Sequence, residues 1–117
     1  MVDLTNQIAE KLLEQGSGVA TIFVQHTTAA LTTTDLDPGT DEDLLDFLDS
    51  LIPSRQWRHP HDPEHAPDHL LASMLGPSLA VPYQDGQLRL GTWQRVILVE
   101  FDGPRERMVI MQITKED

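Results

Sequence analysis

Cysteine is absent from this 117-residue chain, which excludes disulfides and thiolate metal sites. Basic side chains are scarce: eight Lys and Arg stand against nineteen Asp and Glu, a formal charge of -11. Without a basic footprint for phosphate backbones, nucleic acid is excluded as a general partner. No apolar run approaches the roughly 18 residues of a membrane helix, so no membrane span is expected. The opening MVDLTNQIAE has neither the basic region nor the apolar stretch of a secretory signal, and a cytoplasmic location is the expectation. There is no P-loop, no dinucleotide-binding glycine pattern and no nucleophile elbow.

What is there is a globular composition, 39% hydrophobic, of a length that predicts one domain over residues 1–117. From Leu4 to Gln15 the apolar residues follow helical spacing, with Asp3 or Thr5 to cap the start and Gly16 to stop it. VATIFVQ (19–25) is a continuous apolar, β-branched run that predicts a strand buried on both faces, and AALTTT (29–34) its hairpin partner. A helix follows, with Thr40 and Asp43 in capping-box spacing and Leu44, Leu45, Phe47, Leu48 and Leu51 as its inward face. PDHLLASMLG predicts a short helix between Pro67 and Gly76. In the last third, SLAVPY and QLRL flank the hairpin signal QDG, QRVILVEF is a core strand, and RMVIMQIT closes the chain. The expected class is α+β: antiparallel sheets carrying two main helices and one short helix. So many strands in so short a chain leave a sheet face without cover, which predicts burial at a subunit interface.

Four of the five histidines lie in WRHPHDPEHAPDHL (57–70). His61, His65 and His69 are four apart, but Pro63 and Pro67 break a continuous helix. A bent loop there would gather imidazoles for a transition metal or for catalysis. A solvated loop and a pH-sensing segment remain open readings, because no strong zinc spacing is present. His26, after the first core strand and before Thr27 and Thr28, is either a hydrogen-bonded structural histidine or a functional one. In LGTWQR, Thr92, Trp93 and Gln94 offer donors beside Gly91, where a bulge or close backbone approach is expected; Trp93 as a core anchor is the alternative. Arg105 and Arg107 are candidate phosphate ligands or surface charges, and Asp35 and Asp37 candidate Mg²⁺ ligands or turn residues.

QHTTAAL, DPGTDEDL, WRH…APDHLLASMLGPSLAVP and DGQLRLGTWQRVILVEFDGPRER, in this order, resemble the YjbQ-like family, which is identified with secondary thiamine-phosphate synthase enzymes. The resemblance spans about Leu4 to Ile113. It implies a compact two-layer antiparallel β-sandwich assembled as a homotrimer, with a site near subunit boundaries that draws on His26, His59 and His69, the expected catalytic and metal-ligating residues. A divalent metal is implied there, Zn²⁺ first, with Mg²⁺ for the synthase chemistry. The TWQ segment carries over as Thr92, Trp93 and Gln94; for synthase chemistry on a small phosphorylated substrate the expected binding set adds Thr27, Thr28 and Arg95 or Arg105 near phosphate, with Asp35 near Mg²⁺. A zinc-dependent hydrolase and a non-enzymatic trimeric metal- or anion-binding protein are the alternatives. The chain departs from the family in starting almost at its first helix, in Thr34 and Asp35 before the DP turn, and in His61 and His65.

Overall fold

Seven strands and three helices follow one another in a computed structural model that describes residues 1–60 and 63–116. They are β1 (Val2–Asp3), α1 (Thr5–Leu12), β2 (Gly18–Val24), β3 (Ala29–Thr34), α2 (Thr40–Ser50), α3 (Ala66–Leu75), β4 (Ser78–Gln84), β5 (Gln87–Leu88), β6 (Arg95–Glu100) and β7 (Val109–Lys115). A 3-10 turn, Pro63–His65, leads into α3. The strands form two antiparallel sheets, ordered β1-β6-β3 and β5-β4-β2-β7. The predicted α+β sandwich is therefore the fold. The helix expected to be short is ten residues long, longer than α1 at eight.

Strand β6 is apolar at four consecutive positions because both its faces are covered. Val96 and Leu98 point into the space between the sheets, where they meet Ala29 and Leu31 of β3, Ala20, Ile22 and Val24 of β2, and Leu4, Ile8 and Leu12 on and before α1. Ile97 and Val99 are equally buried, on the alternate face of a sheet whose β3 edge carries α3. Thr5 ties α1 to this sheet, its hydroxyl accepting the Val96 N–H at 2.8 Å. Asp3 holds the helix start by accepting the Thr5 N–H at 3.0 Å. The expected QDG hairpin forms with Asp85 and Gly86 both at positive φ, the two-residue turn that matches strand twist.

Five expectations change. Strand β3 is not the hairpin partner of β2: residues 25–28 carry the chain from one sheet to the other, and β3 pairs with β6 instead. Strand β2 is buried on one face only, because nothing among the described residues covers its other side; Val19 and Phe23 are 37% and 42% exposed. The capping box of α2 does not form, since Gly39 is the N-cap and the Thr40 N–H turns to the Asp37 carbonyl at 2.9 Å. Of the residues assigned to its inward face, Leu48 is buried while Leu45, Phe47 and Leu51 are exposed. Among the described residues no element packs closely on α2, and the outline is long, 52 × 30 × 20 Å. The radius of gyration of 15.9 Å exceeds the roughly 13 Å of a compact domain near this length. The chain start also holds more than expected, because Val2–Asp3 pairs with Leu98 and Ile97 as β1. No helix among the described residues is long and apolar enough to cross a membrane.

Candidate functional site

Strand β6 divides the expected site residues between its two ends. In the β3–β6 register Thr34 faces Arg95 at one end and Ala29 faces Glu100 at the other. At about 3.4 Å per residue the ends lie roughly 17 Å apart.

At the first end, the LGTWQR segment is a turn rather than a bulged strand. The Gln94 side-chain oxygen accepts the Gly91 N–H at 2.8 Å, and the Gln94 backbone N–H donates to the Gly91 carbonyl at 3.1 Å. A Gln94 amide N–H also reaches the Thr33 hydroxyl at 3.4 Å. Trp93 is 70% exposed and so is no core anchor. Arg95 is held by Asp3 at 2.9 Å and Asn6 at 3.2 Å. Thr92, Gln94 and Arg95 line a cavity of about 530 Å³ closed on the other side by α1. Asp35 lies just past β3 at this end, its carboxylate accepting the Asp37 N–H at 3.0 Å in a turn.

The second end is where the histidines collect. The β2–β7 ladder stops at Val24 and Val109, and His26 continues the pairing with its ring: Nε2 accepts the Met108 N–H at 3.1 Å. Its Nδ1 lies 3.3 Å from an Arg107 guanidinium nitrogen. With both ring nitrogens engaged, neither is open to a metal in this arrangement. Arg107 in turn grips Glu100 through two N–H groups and donates to the Thr28 hydroxyl at 2.8 Å; Thr28 donates to Glu100 at 3.1 Å. Burial pushes the Glu100 carboxyl up, but hydrogen bonds from Arg107, the Asp102 N–H and Thr28 outweigh it and hold it below the usual carboxylate range. The bond to Glu100 raises the Arg107 guanidinium above its ordinary value.

Helix α3 brings His69 beside this network. His26 and His69 line one cavity of about 340 Å³ with Thr27 and Ser73. On its far side His69 stacks on His59, with ring centroids 4.9 Å apart and planes 13° from parallel, and lines a second cavity of about 360 Å³ with Arg55 and Arg58. A metal lies in the plane of each imidazole that binds it, so two stacked rings do not aim at one ion. The structure thus brings His26 and His59 each to His69, without converging all three lone pairs. Arg105 stands apart, half exposed and paired with Asp102 at 3.2 Å. His61 lies outside the described residues.

Arg55 and Arg58 were not among the expected site residues. Their signal was the block RQWR, two arginines in four residues of a chain with eight basic side chains. Another group also escaped notice: His65, Asp68 and Asp102, each offering a ligand atom within 4.8 Å of the others. Burial first, then the charge of Asp102, raises the Asp68 carboxyl above the usual range.

The family model described as "UPF0047 protein YjbQ-like" matches residues 1–116. The chain belongs to the YjbQ-like UPF0047 family. A UPF0047 protein of Archaeoglobus fulgidus is 40% identical over 113 residues, 96% of this chain and 89% of that one. The UPF0047 protein YugU of Bacillus subtilis is 38% identical, across 92% of this chain and 83% of its own length. Among solved structures, a YbjQ-like protein from Sulfolobus solfataricus superposes with a TM-score of 0.88 at 37% identity, covering 96% of this chain and 84% of that chain. A hypothetical protein from Aeropyrum pernix K1 also gives 0.88 at 37% identity, covering 98% and 88%. The two-sheet frame that separates the LGTWQR turn from the histidine end is thus similar to that of these two solved structures.

Proposed function

We propose that this UPF0047 member is an enzyme for a small phosphorylated substrate, a transferase of the thiamine-phosphate synthase type working at the histidine end of β6. The observation that carries the proposal is the position of His69. It stands between a cavity shared with His26 and Thr27 and a second cavity lined by Arg55, Arg58 and His59. Guanidinium groups suit phosphate oxygens, and an imidazole beside them can move a proton to a leaving group. In the reaction, a thiazole phosphate displaces pyrophosphate from a pyrimidine methyl pyrophosphate. His69 would hold the proton, His59 would fix its ring by stacking, and Arg55 and Arg58 would bind the phosphates. Mg²⁺, with Asp35 as the ligand expected from the sequence, would supply charge neutralisation for the leaving pyrophosphate.

Asp35 and the LGTWQR turn lie roughly 17 Å from His69's end of β6 within one chain. A homotrimer that sets the turn of one subunit against the histidines of the next would complete a single site from Thr92, Trp93, Gln94 and Arg95 of one and His26, Thr28, His59 and His69 of the other. The uncovered β2 face supports such an assembly. A Zn²⁺ ion on His26, His59 and His69 belongs to the same proposal: the donor set suits it, but the rings must turn out of their present contacts.

The test is thiamine phosphate formation by purified protein with both substrates and Mg²⁺. His69→Ala and His26→Ala are expected to lower kcat about a hundredfold or more. Arg55→Ala is expected to act mainly on KM. Equal turnover in wild type and His69→Ala removes that histidine from the mechanism, and no turnover in the wild type sinks the synthase activity.

A further inference from the structure

We propose that His65, Asp68 and Asp102 form a binding site for a divalent transition cation, separate from the imidazoles of His26, His59 and His69. The three come from two places far apart in sequence. His65 ends the 3-10 turn and is the N-cap of α3, Asp68 sits in the first turn of that helix, and Asp102 follows β6. The i, i+3 spacing sets His65 and Asp68 side by side, and the loop after β6 brings Asp102 to both. One ligand atom from each lies within 4.8 Å of the others, and all three residues are half-buried.

The separations suit a shared ion better than direct contact. His65 Nε2 and Asp102 Oδ1 are 3.9 Å apart, beyond hydrogen-bond length. Ligand atoms around a tetrahedral Zn²⁺ with bonds of about 2.0–2.2 Å lie about 3.4 Å apart. Closing the site takes a contraction of about half an ångström between His65 and Asp102, and of at most about 1.4 Å for any other pair of the three. Two carboxylates balance the charge of a divalent ion, and one imidazole with two carboxylates is a donor set that Zn²⁺ and Mn²⁺ both accept. The remaining positions would be filled by water. The other Asp102 oxygen is held by Arg105 at 3.2 Å, so Arg105 orients the carboxylate while its charge opposes the cation. Removing that charge should tighten the site, an effect that a merely structural His–Asp group would not show.

The proposal is independent of the synthase reading, and metal binding tests it without activity. Chelator-stripped full-length protein is titrated with Zn²⁺ by calorimetry, and with Mn²⁺ while histidine ring resonances are followed by NMR. Mn²⁺ should broaden His65 before His26. His65→Ala and Asp68→Asn should each weaken Zn²⁺ binding at least tenfold, and Arg105→Gln should strengthen it several-fold. His26→Ala should leave the affinity of the His65–Asp68–Asp102 site unchanged, whatever it does to an ion at the imidazole cluster. Zn²⁺ affinity within twofold of wild type in both His65→Ala and Asp68→Asn overturns the proposal, as does absence of binding to the wild type. Binding lost in His26→Ala but kept in His65→Ala would assign the ion to the imidazole cluster and reject this site alone.

Discussion

Arg107 and Glu100, seven residues apart across the DGPRE turn, form a two-pronged ion pair at the end of β6 with side chains only 12% and 11% exposed. Thr28 bonds to both partners, and Arg107 also touches the His26 ring. The pair therefore holds the turn after β6 against the β2–β3 connection, on which His26 sits.

Removing one partner leaves the other charged and poorly hydrated. Arg107→Met is expected to cost about 3 kcal/mol, the lower end of the range for half-breaking a buried pair. Glu100 has a depressed folded-state value, so its contribution is complete above the unfolded carboxylate range and is lost as pH falls through the folded value. Urea denaturation from pH 7 down to pH 3 should show stability falling less steeply in Glu100→Gln than in wild type. Parallel slopes would mean that Glu100 binds its proton equally in both states.

Gly86 is required for a different reason. Its φ is +74°, and a Cβ there would lie 2.5 Å from the Leu13 carbonyl oxygen. The Gly86 N–H also bonds to the Gly16 carbonyl at 2.8 Å, fixing the β4–β5 turn to the end of α1. Gly39 has φ +92° but open space around it. Gly39→Ala should cost about 1 kcal/mol from backbone strain, and Gly86→Ala about 3 kcal/mol or more from strain plus collision. At about 4 °C per kcal/mol, melting curves should separate the two Tm values by about 8 °C. Equal Tm losses would show that the turn moves aside.

Local chemistry made several elements legible in advance. The Asp85-Gly86 turn, the Pro67 start and Gly76 end of α3, and the apolar run of β6 each follow from residues adjacent in sequence. Pairing between sheets was not legible. The run AALTTT fits a strand equally well beside β2 or β6, and only the sheet change at residues 25–28 decides between them. The leucines of α2 follow helical spacing, yet spacing cannot say whether a chain supplies its own cover. The site divides in the same way. His26, His59 and His69 were singled out by their family blocks, and α3 does bring His69 to the other two. Asp102 meets His65 and Asp68 from more than thirty residues away, so no local pattern links them.

The uncovered face of the β5-β4-β2-β7 sheet bears on assembly. Phe23 pairs with Ile110 across the β2–β7 ladder, and the two are 42% and 43% exposed. Val19, at 37%, lies four residues along on the same face beside Pro82. An apolar row along a sheet face is costly to leave in water, and a second copy presents the same row. Phe23→Asp places a charge on that face, beside Ile110, without touching the buried face formed by Ala20, Ile22 and Val24. Light scattering coupled to size exclusion should give three times 13.1 kDa for the wild type and the mass of one chain for Phe23→Asp, with circular dichroism unchanged. A trimer that survives the substitution moves the subunit contact away from this sheet, and a wild-type monomer would end the composite-site arrangement altogether.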